Sequence, residues 1–165
     1  MLVVLDRDIF ELAEEHVNSA LCVTTCSVIK GNGCAVMGAG IARQVRDRWP
    51  GIDKILAEAL KEFGNLPNYL GSHPLDSGKV IPVFSFPTKT HWGRPSSFGL
   101  IKQSCMFISA LANNPSSPLF GKTVLLTPPG CGNGGLSWLT VKLLISPLLG
   151  DNFIVTVPSW QDKET

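Results

Sequence analysis

The chain has 165 residues, 44% hydrophobic and 16% charged, which suits one soluble globular domain with a single core and excludes a disordered segment. A formal charge of +1 gives no global pull toward nucleic acid or anionic membrane, and no apolar run approaches the roughly 20 residues needed to span a bilayer. The five cysteines (Cys22, Cys26, Cys34, Cys105, Cys131) are odd in number and lack a CxxC pair, which argues against a disulfide framework or a structural zinc site and suits free thiols in a reducing cytoplasm.

The N-terminal "LVVL" at 2–5 predicts a short buried strand, without the basic start and small-residue cleavage site of a signal peptide. Asp8, with Glu11 three residues on, forms a capping-box pattern ahead of Ile9, Leu12, Ala13 and Val17 at helical spacing. "ALCVTTCSV" (20–28) predicts a second strand. The glycine-rich "KGNGCAVMGAG" leads into a helix with Ile41, Val45 and Trp49 on one side. After Pro50 and Gly51, apolar residues at 52, 55, 56, 59, 60 and 63 mark the strongest helix of the chain.

Residues 69–74 and 79–86 predict two strands joined by a turn at "DSG", with Pro82 pointing to an edge or a bulge in the second. Ser96 or Ser97 is positioned to cap a helix carrying Ile101, Cys105, Ile108 and Leu111. "KTVLLT" (122–127) predicts a strand, "PPGCGNGGLSW" a second glycine loop, Ser137 a helix start, and "FIVTV" (153–157) the last strand. Trp49 and Trp138 read as packing residues, and His16 and His73 as structural or exposed ones. The clusters Arg43, Arg46, Arg48, Lys54 and Arg94, Lys102 read as solvated helix faces before local basic patches. Residues 1–160 are expected to form one domain and 161–165 a loose tail.

Strands alternate with helices almost throughout, which predicts an α/β layered fold with a mostly parallel sheet covered on both faces. In such sheets ligands bind beyond the carboxyl ends of the strands, where both glycine loops and the segment "FPTKTHW" (86–92) would converge. Each glycine loop joins a strand to a helix start, where free N–H groups and the helix dipole attract anions. A pair of such loops suits a diphosphate. Neither has the GK[ST] of a Walker loop, and neither is a GxGxxG in the Rossmann position.

Together, "GNGCAVMGAGIARQ", "FPTKTHW" and "PPGCGNGGLSW" resemble a macrodomain, the ADP-ribose-binding fold, in the branch of the DarG antitoxin macrodomain and, more distantly, of the terminal ADP-ribose protein glycohydrolase. The resemblance covers about residues 2–157. It implies a three-layer α/β/α sandwich around a mixed sheet. By the same resemblance, Asp8 would accept from the adenine amino group and Ile9 would contact the ring. Gly38, Ala39, Gly40 and Ile41 would form the first diphosphate loop. Gly130, Cys131, Gly132, Asn133, Gly134 and Gly135 would form the second, around the distal phosphate and ribose. Either Asn32 or Ser27 would contact that ribose. Trp160 is the nearest aromatic for stacking the adenine, and Thr88 would join the ADP-ribose contacts beside Lys89.

The resemblance assigns Lys89 to the removal of ADP-ribose from its acceptor. An amine can act at the anomeric carbon as a nucleophile, or as a cation against the departing group. An imidazole suits proton transfer near neutrality, and His91, two residues on, would share the strand face of Lys89; an acid–base role and an orienting role both stay open. Trp92 offers either a surface for a single-stranded base or a packing ring. The terminal glycohydrolase pairs its lysine with an aspartate in the second loop, where this chain has Asn133 and Gly134, as in the DarG type. The resemblance therefore implies an ADP-ribosyl hydrolase acting on ADP-ribosylated DNA bases, with no metal and no redox cofactor. A non-catalytic ADP-ribose reader is the alternative, as is a hydrolase of protein-linked ADP-ribose or of ADP-ribose 1″-phosphate. A monomer with no membrane association is expected.

Overall fold

The computed structural model describes residues 1–163. Six strands form one sheet: β1 (Leu2–Leu5), β2 (Ser19–Thr25), β3 (Tyr69–Pro74), β4 (Val80–Pro87), β5 (Thr123–Leu126) and β6 (Phe153–Val157). Their order across the sheet is β1-β6-β5-β2-β4-β3. Every pairing is parallel except β3 with β4, so five strands run the same way and deliver their carboxyl ends to one edge. Helices cover both faces: α1 (Ile9–Glu15), α2 (Gly40–Arg48) and α3 (Ile52–Phe63) on one, α4 (Phe98–Ala112) and α5 (Trp138–Ile145) on the other. The sheet is mixed and the layering α/β/α, as the alternation of elements implies.

Side-chain alternation along the strands splits the core in two. Leu21, Val23, Ile81, Val83, Leu125 and Ile154 meet α1–α3, whereas Ala20, Cys22, Phe84, Phe86, Val124, Leu126 and Val155 meet α4 and α5. Strands buried on both faces explain the near-continuous apolar runs in the sequence. Ile52, Leu56 and Leu60 of α3 are buried along one stripe, and Asp8 caps α1, its Oδ1 accepting from Phe10 N at 2.8 Å and Glu11 N at 3.1 Å. Of the two candidate serines, Ser97 caps α4, accepting from Leu100 N. Ser137 holds the N-cap position of α5 without a capping side-chain bond.

Four expectations need correction. β1 is an edge strand with Leu2 and Leu5 exposed, not a buried one. β2 ends at Thr25, not at residue 28. Beyond it the chain turns away from the sheet, and Ile29 and Ala35 pair in a small antiparallel excursion closed by Lys30 N to Cys34 O. Pro82 lies on an inner strand, so of the two alternatives the edge fails and the bulge holds: the register with β3 shifts between Tyr69 and Ser72, the partner of Pro82. The chain expected to come loose at residue 161 continues instead as α6 (Ser159–Asp162). Gln161 is buried with its Nε2 on Cys131 O, and Asp162 accepts from Trp138 Nε1, because α5 and the second glycine loop leave room for one more turn against them. Residues 164 and 165 lie outside the described residues.

Candidate functional site

A cavity of about 1040 Å³ opens at the carboxyl edge of the parallel strands. Its floor is the end of β2 (Thr24, Thr25, Cys26) with Thr156 and Val157 of β6; its walls are the loops leaving β4 and β5 and the start of α2. This is the crevice where open α/β sheets accept ligands.

The first wall is Gly38, Ala39, Gly40 and Ile41 at the N-terminus of α2. Ala39 is the N-cap and provides no side-chain acceptor, so the N–H groups of the first turn, before Arg43 N bonds Ala39 O, are left to the cavity. The second wall is the loop after β5. Cys131 N bonds Pro128 O, Gly135 N bonds Gly132 O and Leu136 N bonds Gly130 O, which closes the loop on itself. Among the described residues, the N–H groups of Gly132, Asn133 and Gly134 have no protein partner. Three successive N–H groups without protein partners in a turn that borders the cavity are available to an anion. Two clusters of backbone donors thus face one cavity, the arrangement a diphosphate requires.

Lys89 comes from the loop after β4. Its Nζ donates to Trp92 O at 3.3 Å and to Asn133 O at 3.2 Å, tying the lysine loop to the second glycine loop. Thr88 beneath it is buried, its N–H on Thr25 O and its carbonyl accepting from Ser97 N. Asn65 Nδ2 holds the Lys89 carbonyl at 3.3 Å from the side. Four buried polar atoms lack a protein partner among the described residues: Thr25 Oγ1, Ser96 Oγ, Gln161 Oε1 and Asn65 Oδ1. Thr25, Ser96 and Gln161 line the cavity, so their orphaned atoms are available to a polar occupant.

No protein-family model matches the chain. Among curated proteins it is similar to the DNA ADP-ribosyl glycohydrolase of Thermus aquaticus, 30% identical over 122 residues, covering 72% of this chain and 32% of that protein. The DNA ADP-ribosyl glycohydrolase of Mycobacterium bovis is 32% identical over 115 residues, covering 67% of this chain and 31% of its own length. The chain thus spans about a third of the curated relatives it matches. Among solved structures, the macrodomain of Mycobacterium tuberculosis DarG superposes with a TM-score of 0.71 at 25% identity, over 96% of this chain and 97% of that one. The Thermosipho africanus DarTG complex with ADP-ribose gives 0.73 at 25% identity, over 96% of this chain and 42% of that one. The chain is a DarG-like macrodomain.

Of the residues singled out from the sequence, the macrodomain brings Gly38, Ala39, Gly40, Ile41, Thr88, Lys89, Gly130, Gly132, Asn133, Gly134 and Gly135 to the cavity, together with Trp92 and Trp160. Six do not line it. Asp8 spends its Oδ1 on the cap of α1, and Ile9 is buried in the core on the α1–α3 face. Asn32 accepts from Cys34 N inside the 29–35 excursion, and the competing Ser27 donates to Thr90 O. Cys131 is buried, with its carbonyl turned to Gln161. His91 is exposed, because β4 ends at Pro87 and strand alternation no longer applies four residues on; its Nδ1 accepts from Gly93 N at 3.0 Å.

Sequence reasoning missed Asp6, Arg7, Thr25, Arg94, Ser96 and Gln161, all of which border the cavity of the macrodomain. Thr25 was findable, as a polar residue at the carboxyl end of a buried strand. Asp6 carried no signal. It sits at a φ of 52° and accepts from Ser159 N at 2.8 Å, which holds its carboxyl below the ordinary carboxylate range and ties β1 to α6. Gly134 leaves no room for a carboxylate at its own position in the second loop. A Cβ there would lie 2.2 Å from Ser96 Oγ and 2.4 Å from Gly130 O, so no side chain fits.

Proposed function

We propose that this macrodomain binds ADP-ribose and hydrolyses its bond to ADP-ribosylated DNA bases. The observation that carries the reading is Lys89 Nζ, held between the lysine loop and the second glycine loop at the rim of a cavity with two backbone anion sites. The relatives named DNA ADP-ribosyl glycohydrolase and the ADP-ribose complex of the Thermosipho africanus protein support it. The diphosphate lies between the start of α2 and the Gly132–Gly134 turn, the adenine toward Trp160, and the distal ribose under Lys89.

Two of the three N–H donors of the Lys89 ammonium are occupied by carbonyls, which leaves one for the sugar or the departing base. We take the lysine to act as that cation. As the bond between the anomeric carbon and the base breaks, its electron pair goes to the base, which leaves with a proton; water supplies the oxygen that the anomeric carbon gains. With no carboxylate possible at Gly134, the lysine has no acidic partner in that loop. His91, which does not line the cavity, serves by position. The buried thiols of Cys22, Cys26 and Cys105, none in a disulfide, support a reducing, cytoplasmic setting, and the protein is taken as a monomer. No helix among the described residues is long and apolar enough to cross a membrane.

The test is an ADP-ribosylated single-stranded oligonucleotide incubated with the intact protein and with Lys89→Ala, alongside calorimetry with ADP-ribose and an AMP control. Release of ADP-ribose by the first and not the second, with ADP-ribose affinity kept by both, is the expected result. Tight binding without release by the intact protein makes it a reader; release that survives in Lys89→Ala removes the lysine from the chemistry.

A further inference from the structure

We propose that the Trp92–His91 stack is the seat of the leaving group: a nucleobase on single-stranded DNA lies on the open face of the Trp92 indole while its ADP-ribose fills the cavity. The inference rests on the reading above and adds the acceptor's subsite to it. Trp92 lines the cavity yet is 59% exposed, a large apolar area left in water three residues from the amine. One face of the indole is already covered. The His91 ring stacks on it with centroids 5.1 Å apart and planes 29° from parallel. That imidazole is fixed in turn by Gly93 N, and a side chain on Gly93 would press on the ring at 3.3 Å, so the stack is built into the turn.

Lys89 Nζ on Trp92 O places the amine and the indole on one short turn. Arg94 continues that turn, borders the cavity, is exposed, and forms no ion pair among the described residues. An open aromatic face beside an unpaired cation is the combination that holds single-stranded nucleic acid, the ring taking a base and the guanidinium a neighbouring phosphate. A serine or carboxylate acceptor on a protein has no aromatic ring for Trp92 to stack on.

The experiment compares the intact protein, Trp92→Ala and Trp92→Phe on three probes: free ADP-ribose by calorimetry, an ADP-ribosylated single-stranded oligonucleotide, and an ADP-ribosylated peptide. Trp92→Ala is expected to lower kcat/KM on the oligonucleotide about 10-fold or more, mainly through KM, and Trp92→Phe to recover most of it. ADP-ribose affinity should stay within about twofold, with the peptide no more affected than free ADP-ribose. Where the intact protein binds without release, the readout is affinity: the oligonucleotide must bind more tightly than ADP-ribose, by a margin that Trp92→Ala removes. Equal losses on oligonucleotide and peptide, an oligonucleotide indifferent to Trp92, or loss of free ADP-ribose binding in Trp92→Ala each overturn the proposal. Failure of the intact protein to bind ADP-ribose instead overturns the reading beneath it.

Discussion

Replacing Gly134 by alanine tests the second loop most directly. The added Cβ would sit 2.2 Å from Ser96 Oγ and 2.4 Å from Gly130 O. The first clash can relax, because a serine hydroxyl turns about its own bond. The second cannot, because Gly130 O is the acceptor for Leu136 N at 3.0 Å and closes the loop. Ordinary contact therefore requires residue 134 to move by roughly 1 Å. That motion stretches the bond from Ser96 N to Gly134 O and carries Asn133 O away from Lys89 Nζ.

Overpacking of this kind costs ~1–3 kcal/mol, a fall in Tm of about 2–12 °C for a chain of this length. A misplacement of about 1 Å at a catalytic rim costs on the order of 100-fold in turnover. Differential scanning calorimetry and ADP-ribose release from a modified oligonucleotide measure the two effects. Adding Ser96→Ala should not rescue the variant, since the carbonyl remains. Full turnover in Gly134→Ala, or rescue by Ser96→Ala, would refute the steric argument.

Asp6→Ala removes the acceptor for Ser159 N and leaves a non-glycine residue at positive φ, so α6 should loosen and Trp160 fluorescence should shift, with ADP-ribose affinity down several-fold. Since the Asp6 carboxyl titrates below its ordinary value, its contribution is fully present above about pH 4 and lost as pH falls through the native value. A Trp160 signal unchanged in Asp6→Ala would dismiss this anchor. Burial pushes the Cys22 thiol upward and the Cys105 thiol to about 12. Both stay neutral in the fold while the unfolded thiols ionise from about pH 9, so stability should fall between about pH 9 and 12. The alkaline loss in Tm should be shallower in Cys105→Ala than in the parent; parallel losses would show that these thiols do not drive it.

The sheet and its helices were legible because burial on both faces leaves near-continuous apolar strands, and α3 shows its inward stripe at 52, 56 and 60. The glycine loops were legible as pairs of donors, since their chemistry is that of the backbone. What escaped depends on neighbours distant in sequence. Gln161 is buried only because Cys131 O and α5 wait for it, and the sequence after the last strand offers a polar glutamine with no apolar periodicity to mark it as buried. His91 was carried inward by extending strand alternation past Pro87, beyond the last paired residue of β4. The resemblance that offers Asn32 as a ribose contact cannot show that its side chain accepts from Cys34 N in a local turn outside the cavity lining.

The bond between Lys89 and Asn133 has a geometric consequence. The loops it joins leave β4 and β5, which flank β2 on either side, so the bond ties together chain from two strands roughly 10 Å apart. On the proposed function, the acceptor base would meet the amine at this rim, which suits a base already unpaired from its strand.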